Sequence, residues 1–445
     1  MRTTRPFIGI AACVVALAPC AARALDLRDR GQELFAYEWT PGEAGVATGD
    51  GLGPVYNANS CATCHQQGGL GGSATNEQNL MVITELQLGG FNPQAFLSGL
   101  DRAPLNLASF SGLERNHSTI LHRHGTPTGY DQWRRGWLSD LSTRPPRGTS
   151  LPRGAKLRFG ERDGRQFFVS ERSSPALFGA GQINRIPTEA IRALADAQAN
   201  DDGGIAGQVS EIGGDVGRFG WRAQIASLAD FVGSACANEL GLEVNGHPQA
   251  EDPLATNPAA HGIDLEASDV AALTAFVAAL PVPLEANTSA GPVKEGHELF
   301  NQIGCANCHV ETLADVSGLY SDLLLHEMGP QLADAPTQTG SSTARSGIAN
   351  MPGVPPGGFP LTAADYLGAF SGTELSSKWR TPPLWCVADT APYLHDGRAA
   401  TLHEAIAAHG GEATQVAGRF RRLSPRRKQS LVAFLNALHG PNYSP

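Results

Sequence analysis

A chain of 445 residues with 41% hydrophobic and 17% charged side chains can build two or three packed domains, which excludes a disordered or low-complexity protein. Its formal net charge of −10 argues against nucleic acid or an anionic membrane as partner, and permits docking of a basic protein. A content of Gly 52 and Pro 30 predicts many loops between short helices.

In chain order, residues 1–24 read as a secretion signal. Arg2 and Arg5 supply the positive start, Phe7 to Pro19 the apolar run, and Ala22-Arg23-Ala24 a small-x-small cleavage site. That run is too short to span a bilayer, and no later stretch approaches the roughly 20 apolar residues of a membrane helix. The expectation is export to the periplasm with no membrane span. Cleavage removes Cys13 and Cys20, and with Arg2, Arg5 and Arg23 gone the net charge falls from −10 to −13.

Arg28 to Ala36 reads as a short helix ahead of Cys61-Ala62-Thr63-Cys64-His65, and Lys294 to Gln302 as its counterpart ahead of Cys305-Ala306-Asn307-Cys308-His309. Cys-x-x-Cys-His is a c-type haem attachment motif: the thiols form thioethers, and the adjacent His reaches the iron. Zinc knuckles or a redox dithiol are the plainer alternatives, disfavoured by the His in both copies and by export. Two covalently bound haem c groups are therefore expected, at Cys61, Cys64 and His65 and at Cys305, Cys308 and His309.

The block 66–171 has no counterpart after the second motif. It opens on the glycine-rich Gln66–Gly72, contains a strand pattern at Met81 to Leu88, and offers Asp163 to Val169 as strand partner. Covering the first haem is the expected role. Its His117, His122 and His124 read as surface or structural, although one reaching the first iron would close that site. Helical spacing returns at Asp264–Leu280 and at Ser424–Leu438, the latter with Ser424 as N-cap and Pro425 at the first helical position. Each of these helices ends a haem unit. The chain thus divides into units 25–284 and 290–445, joined by Pro281–Leu284 and Glu285–Gly291. Cys236 and Cys386 remain, and a disulfide between them is expected in an oxidising compartment.

Gly-x-x-Leu-Phe before each motif resembles the first helix of class I cytochromes c, where the Gly admits a later helix and the aromatic packs near the haem edge. The expected fold is mainly α: two class I cytochrome c-like haem domains, the first with a large insertion containing some β-structure. Three further segments, Lys378–Trp385, Ala391–Arg398 and Thr401–Ile406, resemble the bacterial di-haem cytochrome c peroxidase superfamily, in its di-haem oxidoreductase branch. Gly51–Asn57 and Arg172–Gly181 fit the same branch.

The resemblance implies an enzyme and assigns roles. Fourteen residues after His395 stands His409, at the position of the second ligand of the C-terminal haem, with His403 as rival. A bis-His haem of low potential would store electrons. Trp221, in Gly217–Ala223, matches the tryptophan between the haems, and Glu239 the acidic residue beside a peroxide-reducing first haem. Two departures stand out: the Trp–Glu spacing is two residues shorter than in the classical peroxidases, and Phe231 occupies the place of the usual Gln. The implied partners are a small redox protein of cytochrome c or cupredoxin type and peroxide or another small oxidant; calcium between the units is allowed, not required. The alternatives are a plain electron-transfer cytochrome and an oxidase of a protein or organic substrate.

Overall fold

The computed structural model describes residues 26–43, 48–86, 118–139, 141–144, 157–162, 165–200, 203–255, 261–283, 288–289, 291–334 and 377–441. The expected signal segment 1–24, His117 and linker positions 284–287 and 290 lie outside the described residues.

Two helix pairs dominate. The helix over residues 26–36 packs on helix Ala267–Ala278, and helix Gly291–Ile303 packs on helix Pro425–Leu435. The first helix of the second pair starts at Gly291, the last residue of the expected linker Glu285–Gly291. Each crossing is made at a glycine. A Cβ on Gly31 would stand 2.7 Å from the Cβ of Phe276, and a Cβ on Gly296 would stand 2.7 Å from the Cβ of Phe434. Contacts that short do not occur between carbons, so only glycine lets the helices touch.

The aromatics repeat with the same spacing. Phe35 lies 5.1 Å from Phe276 and 6.3 Å from the His65 ring; Phe300 lies 5.3 Å from Phe434 and 6.4 Å from the His309 ring. Each of these buried side chains contributes roughly 1.5–3 kcal/mol. As anticipated, Ser424 caps the last helix, accepting from Arg427 N–H, and Pro425 begins it.

Part of the 66–171 block forms a four-stranded antiparallel sheet, in the order Ser118–Ile120, Leu80–Leu86, Arg165–Arg172, Arg158–Arg162. The strand expected at Met81–Leu88 does pair with the segment ending in Val169, in the register Ile83 opposite Val169. Ile83, Leu121, Trp137, Phe167 and Val169 give this sheet its own small core. His124–Gly125 then pairs with Val55–Tyr56, bringing the block against the first attachment motif.

The two halves share a core. Leu319, Leu323, Leu324 and Trp385 are buried in one cluster with Leu34, Phe178 and Phe276. Beside it lies a buried ion pair, Arg172 with Asp334. Helix is the commoner regular structure among the described residues, with sheet confined to short strands.

Candidate functional site

Each attachment motif is a single turn that gathers two thiols and an imidazole. Ser60 caps helix Cys61–Cys64 by accepting from Thr63 N–H, and His65 N–H donates to the Cys61 carbonyl at 3.1 Å. At the second motif Gly304 takes a left-handed conformation (φ 96°) that ends the preceding helix, and a 3-10 turn Cys305–Asn307 follows. Burial pushes the thiols of Cys61, Cys64 and Cys305 up to about 12, so they are protonated in apolar surroundings.

The imidazoles are oriented by carbonyls. His65 Nδ1 is 3.0 Å from the Gly72 oxygen, His309 Nδ1 is 2.9 Å from the Tyr320 oxygen, and His409 Nδ1 is 2.8 Å from the Ala405 oxygen. A carbonyl acceptor fixes the proton on Nδ1 and leaves the Nε2 lone pair free to ligate a metal. Burial lowers the pKa of all three, and for His309 the neighbouring His409 lowers it further, to about 4. They are neutral at pH 7, the form that binds iron.

His309 and His409 face one cavity of about 290 Å³, lined also by Cys305, Cys308, Val416 and Leu431. Local sequence explains the placement of His409. Thr401 and Glu404 form a capping box that starts helix Leu402–Ala407, and Gly410-Gly411 stops it just after the histidine. His403, the rival, is exposed against Phe420 at 5.2 Å. Paired thiols, carbonyl-held neutral imidazoles and an apolar cavity form a donor set that fits haem c.

Trp221 lines the same cavity, and its Nε1–H donates to the Ser173 carbonyl at 2.8 Å. Two residues on, the Pro175 carbonyl acts on the His65 imidazole. One short strand of backbone therefore runs from the indole to the first motif.

Glu239 lies beside that first motif, where its charge acts on Cys64. Burial pushes its carboxyl up to about 7, against the stabilising hydrogen bond that Asn57 Nδ2 donates at 2.9 Å. Asn57 Oδ1 in turn accepts from Arg123 N–H at 3.0 Å. An amide does accompany the acid, but it comes from residue 57 and not from position 231. Phe231 instead stacks on Phe219 at 5.6 Å and lines the cavity shared by His309 and His409. Asn57 lies inside the Gly51–Asn57 segment singled out in the sequence, yet nothing local showed that it reaches Glu239.

His122 is structural: buried, its Nε2 2.9 Å from the Asn238 carbonyl, and lowered by burial to about 4. His124 packs on Tyr56 at 5.4 Å. The expected disulfide is not formed. Cys236 and Cys386 are free buried thiols facing different neighbours: Cys236 lies by Cys61, while the Cβ of Cys386 comes near Gly440.

Two buried clusters join residues that no local pattern in the sequence links. His326 lies between Asp322 (Nε2 to Oδ2, 2.9 Å) and Glu412 (Nδ1 to Oε2, 2.8 Å). Burial opposes its charge, but the two carboxylates prevail and push it up to about 12. Cys308, Asp322 and His326 lie close enough to share a cation, but a thiol and an imidazole are poor donors for calcium. The second cluster stacks His395 on Trp379 at 3.8 Å, with the Arg222 guanidinium 4.0 Å from the Trp379 ring centre.

Residues 369–438 match the family described as "Di-haem oxidoreductase, putative peroxidase". Two curated relatives make the likeness particular. Cytochrome-c peroxidase IdrP2 of Denitromonas iodatirespirans is 29% identical over 158 residues, 33% of this chain and 39% of that protein. The gamma subunit of hydrazine synthase from Kuenenia stuttgartiensis is 28% identical over 156 residues, 33% of this chain and 40% of that protein. The chain thus spans about two fifths of the length of the curated relatives it matches. Among solved structures, a variant of the diheme peroxidase BthA from Burkholderia thailandensis aligns with 93% of this chain and 86% of its own, at 17% identity and a TM-score of 0.29.

Proposed function

We propose that this protein is a periplasmic di-haem c-type oxidoreductase of the cytochrome c peroxidase kind. It consists of two class I cytochrome c-like units, 25–284 and 290–445, with the block 66–171 inserted in the first and residues 1–24 removed on export. Cys61, Cys64 and His65 hold one haem; Cys305, Cys308, His309 and His409 hold the other. The C-terminal site stores electrons from a small redox protein, and the N-terminal site reduces peroxide.

One observation carries this reading: the two sites differ in what accompanies the proximal histidine. A second imidazole, His409, shares the cavity of His309, whereas a carboxyl pushed up to about 7 stands by Cys64. Bound haem supplies one-electron chemistry, and peroxide chemistry where its sixth position is open. Glu239 takes a proton from the incoming peroxide and returns it to the departing oxygen, so that water leaves and not hydroxide. Asn57 holds the carboxyl in place, and a pKa near 7 suits a group that must both accept and give a proton at neutral pH. Trp221 offers a π-system between the sites, anchored through Ser173.

Electron paramagnetic resonance of the oxidised protein tests the assignment. One low-spin and one high-spin haem are expected, and His409→Ala should abolish the low-spin signal while sparing the high-spin one. Two low-spin haems that persist on partial reduction would instead indicate an electron carrier.

A further inference from the structure

Six cations stand within ten residues of a chain whose net charge is −10: Arg419, Arg421, Arg422, Arg426, Arg427 and Lys428. Helix Thr414–Arg422 ends just before helix Pro425–Leu435 begins, so these residues share one corner of the molecule. The five arginines are exposed, and the Lys428 ammonium lies 5.6 Å from the Phe420 ring centre. Among the described residues, the ion pair formed at this corner joins Arg426 to Glu295 at 3.7 Å.

Folding accounts for only half of the cluster. Arg419, Arg421 and Arg422 occupy the last turn of their helix, where cations offset the negative pole of the dipole. Arg426, Arg427 and Lys428 occupy the first turn of the next, where the pole is positive and no acidic residue stands. Cations there weaken the helix, so local stability does not select them.

Their position relative to the second site gives a reason. The inner face of the first of these helices brings Val416 and Ala417 to the cavity shared by His309 and His409. Arg419 Nη1 donates to the Ile303 carbonyl at 3.0 Å, and Arg427 Nη2 to Gln302 Oε1 at 2.7 Å, just ahead of Gly304-Cys305. The cationic surface thus lies about one helix diameter, roughly 10 Å, from that cavity.

We infer that this surface docks an acidic small redox protein, which delivers electrons to the C-terminal site; the inference rests on reading that site as an electron-storing haem. The negative charge of the whole chain favours a basic partner, but docking responds to the local patch, and its sign is reversed. An anionic membrane fits less well. The exposed large hydrophobic side chain among the described residues is Tyr37, which lies in the other half of the chain and gives this corner no apolar anchor.

Stopped-flow reduction of the oxidised two-haem protein by an acidic and by a basic c-type cytochrome tests this. At low salt the acidic donor should be about tenfold faster, with the advantage fading as salt rises. Arg421→Glu with Arg422→Glu should slow the acidic donor about tenfold and leave reduction by uncharged hydroquinone unchanged. Arg427→Glu sets a carboxylate three residues after the Ser424 cap, completing a capping box; the denaturation midpoint should hold or rise while the acidic donor slows. A merely structural role would lower both together. A faster basic donor, or an acidic rate indifferent to these reversals, overturns the proposal. So does binding to phosphatidylglycerol vesicles that the same variants abolish without changing the donor rates. Absence of a low-spin haem in the wild-type protein would instead overturn the reading of the site on which the proposal rests.

Discussion

At the scale of single residues, Glu239 is the group to which the proposed function assigns the proton transfer. Its carboxyl sits at about 7 because burial disfavours the charge more than Asn57 stabilises it. If it is the base, kcat/KM for peroxide should rise between about pH 6 and 8 with the ionised fraction. Glu239→Gln should cost about 10²–10⁴-fold and erase that limb while the haem spectra stay unchanged. The same shift has a stability consequence. A carboxyl raised from 4.5 to about 7 is penalised once ionised, so its cost is absent below pH 4.5 and complete above 7. Glu239→Gln should therefore be more stable than the wild type at pH 8, by about 3 kcal/mol, and equal to it at pH 4; denaturant midpoints at the two pH values measure this.

At the scale of elements, the paired helices depend on their crossing glycines. An alanine normally improves a helix interior by about 1 kcal/mol over glycine. At Gly296 the added methyl would press on Phe434 and the Ser430 carbonyl, both in the closing helix. Gly296→Ala should thus lose about 1–3 kcal/mol net, and Gly31→Ala a similar amount through Phe276, in chemical denaturation of the holoprotein. A gain in stability at either site would show that the helices separate without cost.

At the scale of the whole molecule, the two halves meet over a buried ion pair. Burial alone would raise Asp334, but Arg172 and His395 prevail and hold its carboxyl below the ordinary range. Asp334→Asn removes a buried carboxylate that pairs with Arg172 and should cost about 3–5 kcal/mol. The stability that the pair contributes is present above the unfolded value of 3.8 and drains away as pH falls below it. Acid titration of the wild type and of Asp334→Asn should therefore converge at low pH.

Much of this was legible along the chain because its signals are short-range. The attachment motifs are five-residue strings, the crossing glycines and aromatics recur at one spacing, and Ser424-Pro425 and Thr401–Glu404 announce helix starts within a single turn. The Leu80–Leu86 strand and its partner could be matched because alternation survives in both. Contacts between distant residues could not be read. Asn57 meets Glu239 across 182 positions, and Arg172 meets Asp334 across 162. Cys236 and Cys386 look like a pair by elimination, but a disulfide needs proximity, and the core sets them against different neighbours. Sequence determined what each motif can bind, because covalent attachment and capping are local chemistry. Tertiary structure decided what lies next to each motif, a second imidazole in one case and a buried carboxyl in the other, because burial and electrostatic fields depend on the whole fold.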